Sequence, residues 1–170
     1  TLAIYHVPAN FFIVGIEAEN NIPLIKRIFR EGHEISNHTF FHPDMAKVSP
    51  QRANLEMDLT RLLIECITGH STIMFRAPFN ADSEPNKSEE LIPIALSRNK
   101  NYVTVGESID PEDWQKEEIE GFNADTIFNR VVRIYNNRIQ NPDTEDTTGV
   151  NGNIILVHDS GVQSRQATVD

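Results

Sequence analysis

The stretch GHEISNHTFFHPDM at residues 32–45 combines a predicted strand, HEISNH at 33–38, with two histidines four residues apart, His38 and His42. In a helical turn, side chains at positions i and i+4 lie on one face with their Cβ atoms about 5–6 Å apart. Both imidazoles would then reach one metal ion at about 2.0–2.1 Å. Two ligands do not complete such a site, so the spacing predicts a metal centre whose third ligand lies elsewhere.

The segments before this stretch predict alternating strands and helices. NFFIVG at 10–15 is predicted as a buried strand, and a helix opened by Pro23 is predicted to end at Gly32. This alternation is typical of βα units around a mostly parallel sheet. It brings His38 to the C-terminal end of its strand, where such sheets usually bind ligands.

The segments after it continue the alternation. A helix is predicted from Ser49 and Pro50 to Gly69, with an apolar stripe of Leu55, Leu59, Leu62, Leu63 and Cys66. Further helices are predicted over 91–96, strained or started late because of Pro93, and over 124–139. The remaining predictions are a helix tail at 1–7, strands at 72–79, 102–106 and 153–158 (NIILVH), a loop at 110–114 and a polar insertion at 141–152.

Composition excludes several classes of protein. With 15 basic and 25 acidic residues the net charge is −10, which disfavours nucleic acid as a partner. The single cysteine, Cys66, rules out an internal disulfide framework. No apolar run is long enough for a membrane span, and no signal peptide is visible at the first residues. A length of 170 residues suits one domain, 1–170.

Polar residues recur at the predicted strand ends. Each has a structural interpretation when taken alone: a lone histidine is more often hydrogen-bonded than ligating, Arg76 would pair with a surface carboxylate, and Asp110 would cap a turn. Four clusters at successive strand ends are much harder to explain in this way, because all would face the same edge of the sheet. The clusters are His38 with His42, Arg76, Asp110 with Asp113 and Trp114, and His158 with Asp159. Structural or solvated roles are predicted for His6, His33 and His70.

The order of four motifs resembles that of the polysaccharide deacetylases, also called NodB-homology or carbohydrate esterase family 4 proteins. The motifs are HTFFHP at 38–43, RAPF at 76–79, DPEDW at 110–114 and LVHD at 156–159. The resemblance implies an α/β fold, a deformed (β/α) barrel. It also implies removal of acetyl groups from N-acetylated sugars of peptidoglycan, chitin or poly-N-acetylglucosamine, or from O-acetylated xylan in some members.

The resemblance assigns roles to individual residues. His38 and His42 match two metal ligands, usually of Zn²⁺, and His158 matches the general acid, kept protonated by Asp113. Arg76 matches the residue that orients the base aspartate, and Phe79 supplies a backbone N–H to the oxyanion. Leu156 and Trp114 match the walls of the acetyl pocket. The family's base and third ligand are adjacent aspartates in a motif like TFDDGP, which this sequence lacks, so a fragment incomplete at both ends and poorly active alone is expected.

The sequence fits two other functions less well. A catalytically silent carbohydrate-binding module is disfavoured because it has no physical need for the full set of polar residues. A glycoside hydrolase using Asp110 and Asp113 is disfavoured because two side chains three residues apart in a short loop have no evident reason to flank a scissile bond.

The family's substrates imply an extracellular or cell-envelope location, with fusion to other carbohydrate-active domains possible.

Overall fold

The computed structural model describes residues 2–81, 88–114, 123–140 and 153–159. The chain divides into two compact units, residues 2–106 and residues 107 onward. Among the helices in the described ranges, none is long and apolar enough to cross a membrane.

The first unit contains a parallel sheet whose strand order follows the chain. Its strands are β1 (Asn10–Ile13), β2 (Glu34–Asn37), β3 (Met74–Phe75) and β4 (Val103–Thr104), each parallel to the next. Its helices are α1 (Leu2–Tyr5), α2 (Gly15–Asn20), α3 (Ile22–Arg30), α4 (Pro50–Thr68) and α5 (Ser88–Asn99), with a 3₁₀ turn at Pro78–Asn80. The predicted βα units around a parallel sheet are therefore confirmed.

The boundaries of α3 and α4 agree with the sequence signals. Pro23 lies in the first turn of α3, and Gly32 follows the helix with a φ of 83°. Ser49 caps α4 by accepting a hydrogen bond from the backbone N–H of Arg52 at 3.2 Å, and Gly69 ends it with a φ of 78°. These glycines adopt the left-handed conformation that side chains disfavour, so both helices end where the sequence predicts.

The apolar stripe predicted for α4 is wrong except at Leu63, which is partly buried and packs against a core cluster. Leu55, Leu59 and Leu62 are exposed, as is Cys66. The buried face consists of Ala53, Glu56, Met57, Thr60 and Ile64. A periodicity argument counts only apolar residues, and here two of the inward side chains are polar groups whose hydrogen bonds are satisfied inside the fold.

Other elements differ from the predictions in extent. The strands predicted at 72–79 and 102–106 shorten to the two-residue pairs β3 and β4. Helix α5 begins at Ser88, so Pro93 lies inside it rather than at its start. The helix α2 was not predicted, because its sequence GIEAEN has no apolar periodicity.

The core of the first unit has two clusters, one of which supports the histidine loop. Met45, three residues after His42, is fully buried together with Phe75 of β3 and Met57 of α4. The second cluster joins Ala18, Ile25, Ile35 and Ile64. Met45, which follows His42 in the loop between β2 and α4, therefore anchors this loop in the core.

Within its described residues, the second unit contains α6 (Ala124–Gln140) and a parallel bridge between Ile109 and Ile155. The strand predicted at 153–158 is reduced to this bridge, in which Leu156 donates its backbone N–H to the Ile109 carbonyl at 2.9 Å. Helix α6 is tied to the same segment because Arg138 donates to the Ser108 carbonyl at 2.7 Å. The insertion at 141–152 lies outside the described residues.

Candidate active site

His38 and His42 come together in the loop that follows β2. Their ring centroids are 4.9 Å apart and the rings meet edge to face at 70°. The loop is not a helical turn, because Thr39 and His42 have left-handed φ values of 68° and 56°. The predicted convergence of the two rings is confirmed, but the helical geometry used to predict it is wrong.

Buried hydrogen bonds hold the start of this loop. Asn37 is fully buried, and its Oδ1 accepts the backbone N–H of Thr39 at 2.9 Å. Its Nδ2 donates to the Met57 carbonyl at 2.8 Å and to the Tyr102 hydroxyl at 2.7 Å. Burial raises the pKa of Tyr102. His42 donates its backbone N–H to Thr39 Oγ1 at 3.1 Å, so a short chain of contacts links Asn37 to the second histidine.

The tautomer of His38 follows from its partner. Nδ1 lies 2.8 Å from the backbone carbonyl oxygen of Arg76. Since a carbonyl only accepts, Nδ1 carries the proton, and the lone pair of the neutral ring is on Nε2. Histidines that bind metals commonly donate their other ring N–H in this way.

The spacing of the two rings suits a shared metal ion. With Zn–N bonds of about 2.1 Å and a ring radius of about 1.1 Å, two imidazoles at a tetrahedral angle have centroids about 5 Å apart. The ring centroids of His38 and His42 are 4.9 Å apart. Within the described ranges, no group of three or more His, Cys, Asp or Glu side chains is arranged to hold a metal. The identity of a third ligand therefore stays a prediction.

Arg76 and Phe79 lie beside the histidine pair. Arg76 is only 4% exposed, donates from Nη2 to the Gly106 carbonyl at 2.7 Å and stacks 5.1 Å from the Phe12 ring centroid. The burial of Arg76 argues against a surface ion pair as its main role. Phe79 is exposed, has a left-handed φ of 59°, and its ring centroid lies 4.9 Å from that of His42. Such backbone strain is typical of functional sites.

Asp113 and His158 form the polar pair of the second unit. The Asp113 carboxylate is fully buried, and its Oδ1 lies 2.8 Å from His158 Nδ1. Its other oxygen accepts the backbone N–H of His158 at 2.7 Å. Two bonds to one residue fix the imidazole, whose side chain is 32% exposed. The predicted pairing of these residues is confirmed.

The residues around this pair fall into separate roles. Asp110 accepts the backbone N–H of Glu112 at 2.7 Å and the Trp114 indole N–H at 3.4 Å, so its turn-capping interpretation is confirmed. Trp114 is half-exposed, and Leu156 is partly buried. Asp110 caps a turn and Asp113 binds His158. These contacts give no support to a glycoside hydrolase that uses the two aspartates as its catalytic pair.

The other histidines have structural surroundings. His33 accepts the Ala9 backbone N–H at Nδ1 over 3.3 Å, and His70 packs its ring 5.0 Å from that of Phe29. His6 is exposed at the end of α1. The structural or solvated roles predicted for these three agree with these positions.

Comparison with known proteins identifies close counterparts. The family model for polysaccharide deacetylases matches residues 1–91. The chain is 31% identical over 128 residues to a peptidoglycan-N-acetylglucosamine deacetylase of Bacillus cereus, covering 75% of this chain and 42% of that protein. It is 28% identical over 170 residues to a chitooligosaccharide deacetylase of Sinorhizobium fredii, covering 99% of this chain and 67% of that protein.

A solved structure gives the corresponding comparison of fold. It is a peptidoglycan N-acetylglucosamine deacetylase in complex with 4-naphthalen-1-yl-N-oxidanyl-benzamide, with a TM-score of 0.76 and 27% identity. The match covers 99% of this chain and 66% of that chain. The predicted α/β fold of the deformed (β/α) barrel type is therefore confirmed. The chain spans less than half of the Bacillus cereus protein it matches.

Proposed function

The chain belongs to the polysaccharide deacetylase family, and we propose that the protein is a metal-dependent hydrolase that removes acetyl groups from N-acetylated sugars of a polysaccharide. The observation that supports this most is the pairing of His38 with His42 beside the carbonyl of Arg76. The relatives named peptidoglycan and chitooligosaccharide deacetylases support a polymer or oligomer of N-acetylglucosamine as the substrate class.

His38 and His42 would hold the metal ion, for which Zn²⁺ is the most suitable choice with nitrogen ligands. When a divalent ion is bound, the amide carbonyl of the substrate is polarised and a water molecule becomes acidic enough to supply hydroxide near neutral pH. The carbonyl of Arg76 keeps His38 in the tautomer whose Nε2 can ligate. The His38 ring is therefore already in the tautomer that binds a metal ion.

His158 would protonate the leaving amine from Nε2. Its Nδ1 is directed at the buried carboxylate of Asp113, so the opposite ring nitrogen is the one that exchanges a proton with substrate. The two hydrogen bonds to Asp113 hold the ring in place. General acid catalysis of this kind contributes typically 10²–10⁴ in rate.

The remaining side chains would bind and orient the reacting groups. The backbone N–H of Phe79 would donate to the oxyanion, a contribution worth typically about 10²–10³ in rate. Arg76 would pair with the carboxylate that acts as base, lowering the pKa of that carboxylate. Trp114 and Leu156 would form apolar walls for the acetyl methyl group.

The proposed substrates also suggest where the protein works. Peptidoglycan and chitin-like polymers are too large to cross a membrane, so an extracellular or cell-envelope location suits this activity. Fusion of the domain to other carbohydrate-active domains stays a prediction.

The test is acetate release by the protein at its natural length. Peptidoglycan and chitooligosaccharides are supplied separately, before and after metal removal by a chelator and after Zn²⁺ is restored. We expect acetate release that is lost on chelation and regained with Zn²⁺, and a 10²–10⁴-fold lower turnover in His158→Ala. His70→Ala, at an exposed histidine, is the matched control. Binding of these sugars without acetate release would favour the silent binding module.

A further inference from the structure

Glu56 of α4 is a buried carboxylate to which the proposed chemistry gives no role. We propose that Glu56 is the positioning residue of the histidine pair, fixing the loop between His38 and His42 so that both rings meet one metal ion. This inference rests on the proposed function, because it concerns the metal ligands of that site.

The carboxylate reaches the middle of the loop. Glu56 is 1% exposed, and its Oε2 accepts the backbone N–H of Phe40 at 2.8 Å and that of Phe41 at 2.7 Å. Phe40 and Phe41 are two of the three residues that separate the histidines. One carboxylate oxygen thus receives two successive backbone donors from the segment that determines the distance between the rings.

The second carboxylate oxygen is held from the other side. Arg52 donates to Oε1 from Nε at 2.7 Å and from Nη2 at 2.6 Å. The Arg52 guanidinium also lies 5.3 Å from the centroid of the Phe41 ring. A buried carboxylate is costly unless it is paired and hydrogen-bonded, and here both conditions are met. The pairing fixes the direction in which Oε2 points.

The loop needs such an acceptor because it has left the sheet. Thr39 and His42 adopt left-handed conformations, which turn the backbone away from the ladder of β2. The carbonyls of Thr39 and Phe40 are bound on the opposite side by the backbone N–H groups of Gly15 and Ile16, each at 2.9 Å. Backbone N–H groups that are withdrawn from water need a partner, and Glu56 accepts hydrogen bonds from two partly buried N–H groups of this loop. The loop is held between α2, which binds its carbonyls, and α4, which binds its N–H groups.

Substitutions at position 56 separate these contributions. Glu56→Ala removes both acceptors, and Glu56→Asp keeps the charge but withdraws the carboxylate by about one methylene. Glu56→Gln retains one oxygen that can accept both N–H groups, although its amide nitrogen would face Arg52. The expected order of disturbance is therefore Ala and Asp above Gln.

The experiment measures Zn²⁺ affinity in the protein at its natural length, by competition with a chromophoric chelator, together with the absorption spectrum of bound Co²⁺. Outer-shell partners of metal ligands typically contribute about 10–100-fold in affinity. We expect a loss of that size and an altered Co²⁺ spectrum in Glu56→Ala and Glu56→Asp, and a smaller loss in Glu56→Gln. Asp58→Asn is the matched control, because Asp58 lies on the same helix but pairs with Lys100 at 2.6 Å. Its Zn²⁺ affinity should match that of the wild type.

The outcomes separate this inference from the proposed function. Wild-type affinity and spectrum in Glu56→Ala and Glu56→Asp would overturn the positioning role while leaving the metal site intact. If Glu56→Ala does not fold, Glu56→Asp alone decides. A wild-type protein that binds no Zn²⁺ would instead overturn the proposed function itself, and with it the premise of this inference.

Discussion

The replacement of Asp113 by asparagine tests the proton-transfer role of the second unit. Asp113 offers two acceptor oxygens, one to His158 Nδ1 at 2.8 Å and one to the His158 backbone N–H at 2.7 Å. Asparagine has the same shape but only one acceptor, because its other terminal atom is an amide donor. One of the two bonds must therefore be lost or reversed.

The energies decide which bond changes. Leaving the backbone N–H of His158 against an amide donor would cost about 1–3 kcal/mol, because a buried donor would be unsatisfied. If the amide oxygen accepts that N–H instead, the amide nitrogen faces Nδ1. The ring then has to accept at Nδ1 and carry its proton on Nε2. A positively charged ring, which has donors on both nitrogens, no longer fits this arrangement.

The expected result for Asp113→Asn is a loss of turnover of about 10²–10⁴, the usual contribution of a general acid. This corresponds to about 3–5 kcal/mol of activation free energy. Acetate release should be measured across pH, and the tautomer of His158 should be read from its ¹⁵N chemical shifts. Glu112→Gln is the control, since Glu112 is the exposed neighbour with the same charge. Wild-type turnover in Asp113→Asn, with the proton still on Nδ1, would refute this account.

Three further predictions concern the histidine loop. In Gly15→Ala, the new Cβ would lie 2.3 Å from Phe40 Cδ2. This overpacking should lower the free energy of unfolding, measured in urea, by about 1–3 kcal/mol. An unchanged urea midpoint would contradict the close contact. Asn37→Ala should lower the free energy of unfolding by about 2–4 kcal/mol, because three hydrogen bonds are removed together. A decrease of less than about 1 kcal/mol would show that water replaces these bonds. Burial raises the pKa of Tyr102, so its contribution to stability is present below the unfolded pKa of about 10 and falls as pH rises above that value. Tyr102→Phe should therefore lose less unfolding free energy than the wild type between pH 9 and pH 11, and an equal loss in both would contradict this.

The parts of the fold that the sequence predicted well are those with local chemical signals. The ends of α4 follow from Ser49, Pro50 and Gly69, whose side chains or backbone freedom act within one turn. The inward face of α4 did not follow, because Glu56 and Thr60 are polar residues that resemble solvent-facing ones until their partners are known. Hydrophobic periodicity cannot predict a buried carboxylate whose hydrogen-bond partners lie elsewhere in the sequence.

The candidate site shows the same division. Four-residue spacing predicted that His38 and His42 meet, although the left-handed φ values that bring them together depend on contacts from distant elements. The pairing of Asp113 with His158 spans 45 positions and came from the family resemblance, since local patterns carry no information at that separation. The sequence analysis did not identify Asn37, whose one signal is a polar side chain near the end of the strand predicted at 33–38.

His38 and His42 are proposed to bind the metal ion on which the activity depends, and Zn²⁺ titration of the protein at its natural length is the decisive test. We predict that the wild type binds Zn²⁺ and that His38→Ala and His42→Ala each retain much less, because a ligand is lost outright. His33→Ala, at a histidine that accepts a backbone hydrogen bond from Ala9, should bind as the wild type does. Undiminished Zn²⁺ binding in His38→Ala and His42→Ala would show that these histidines are not the metal ligands.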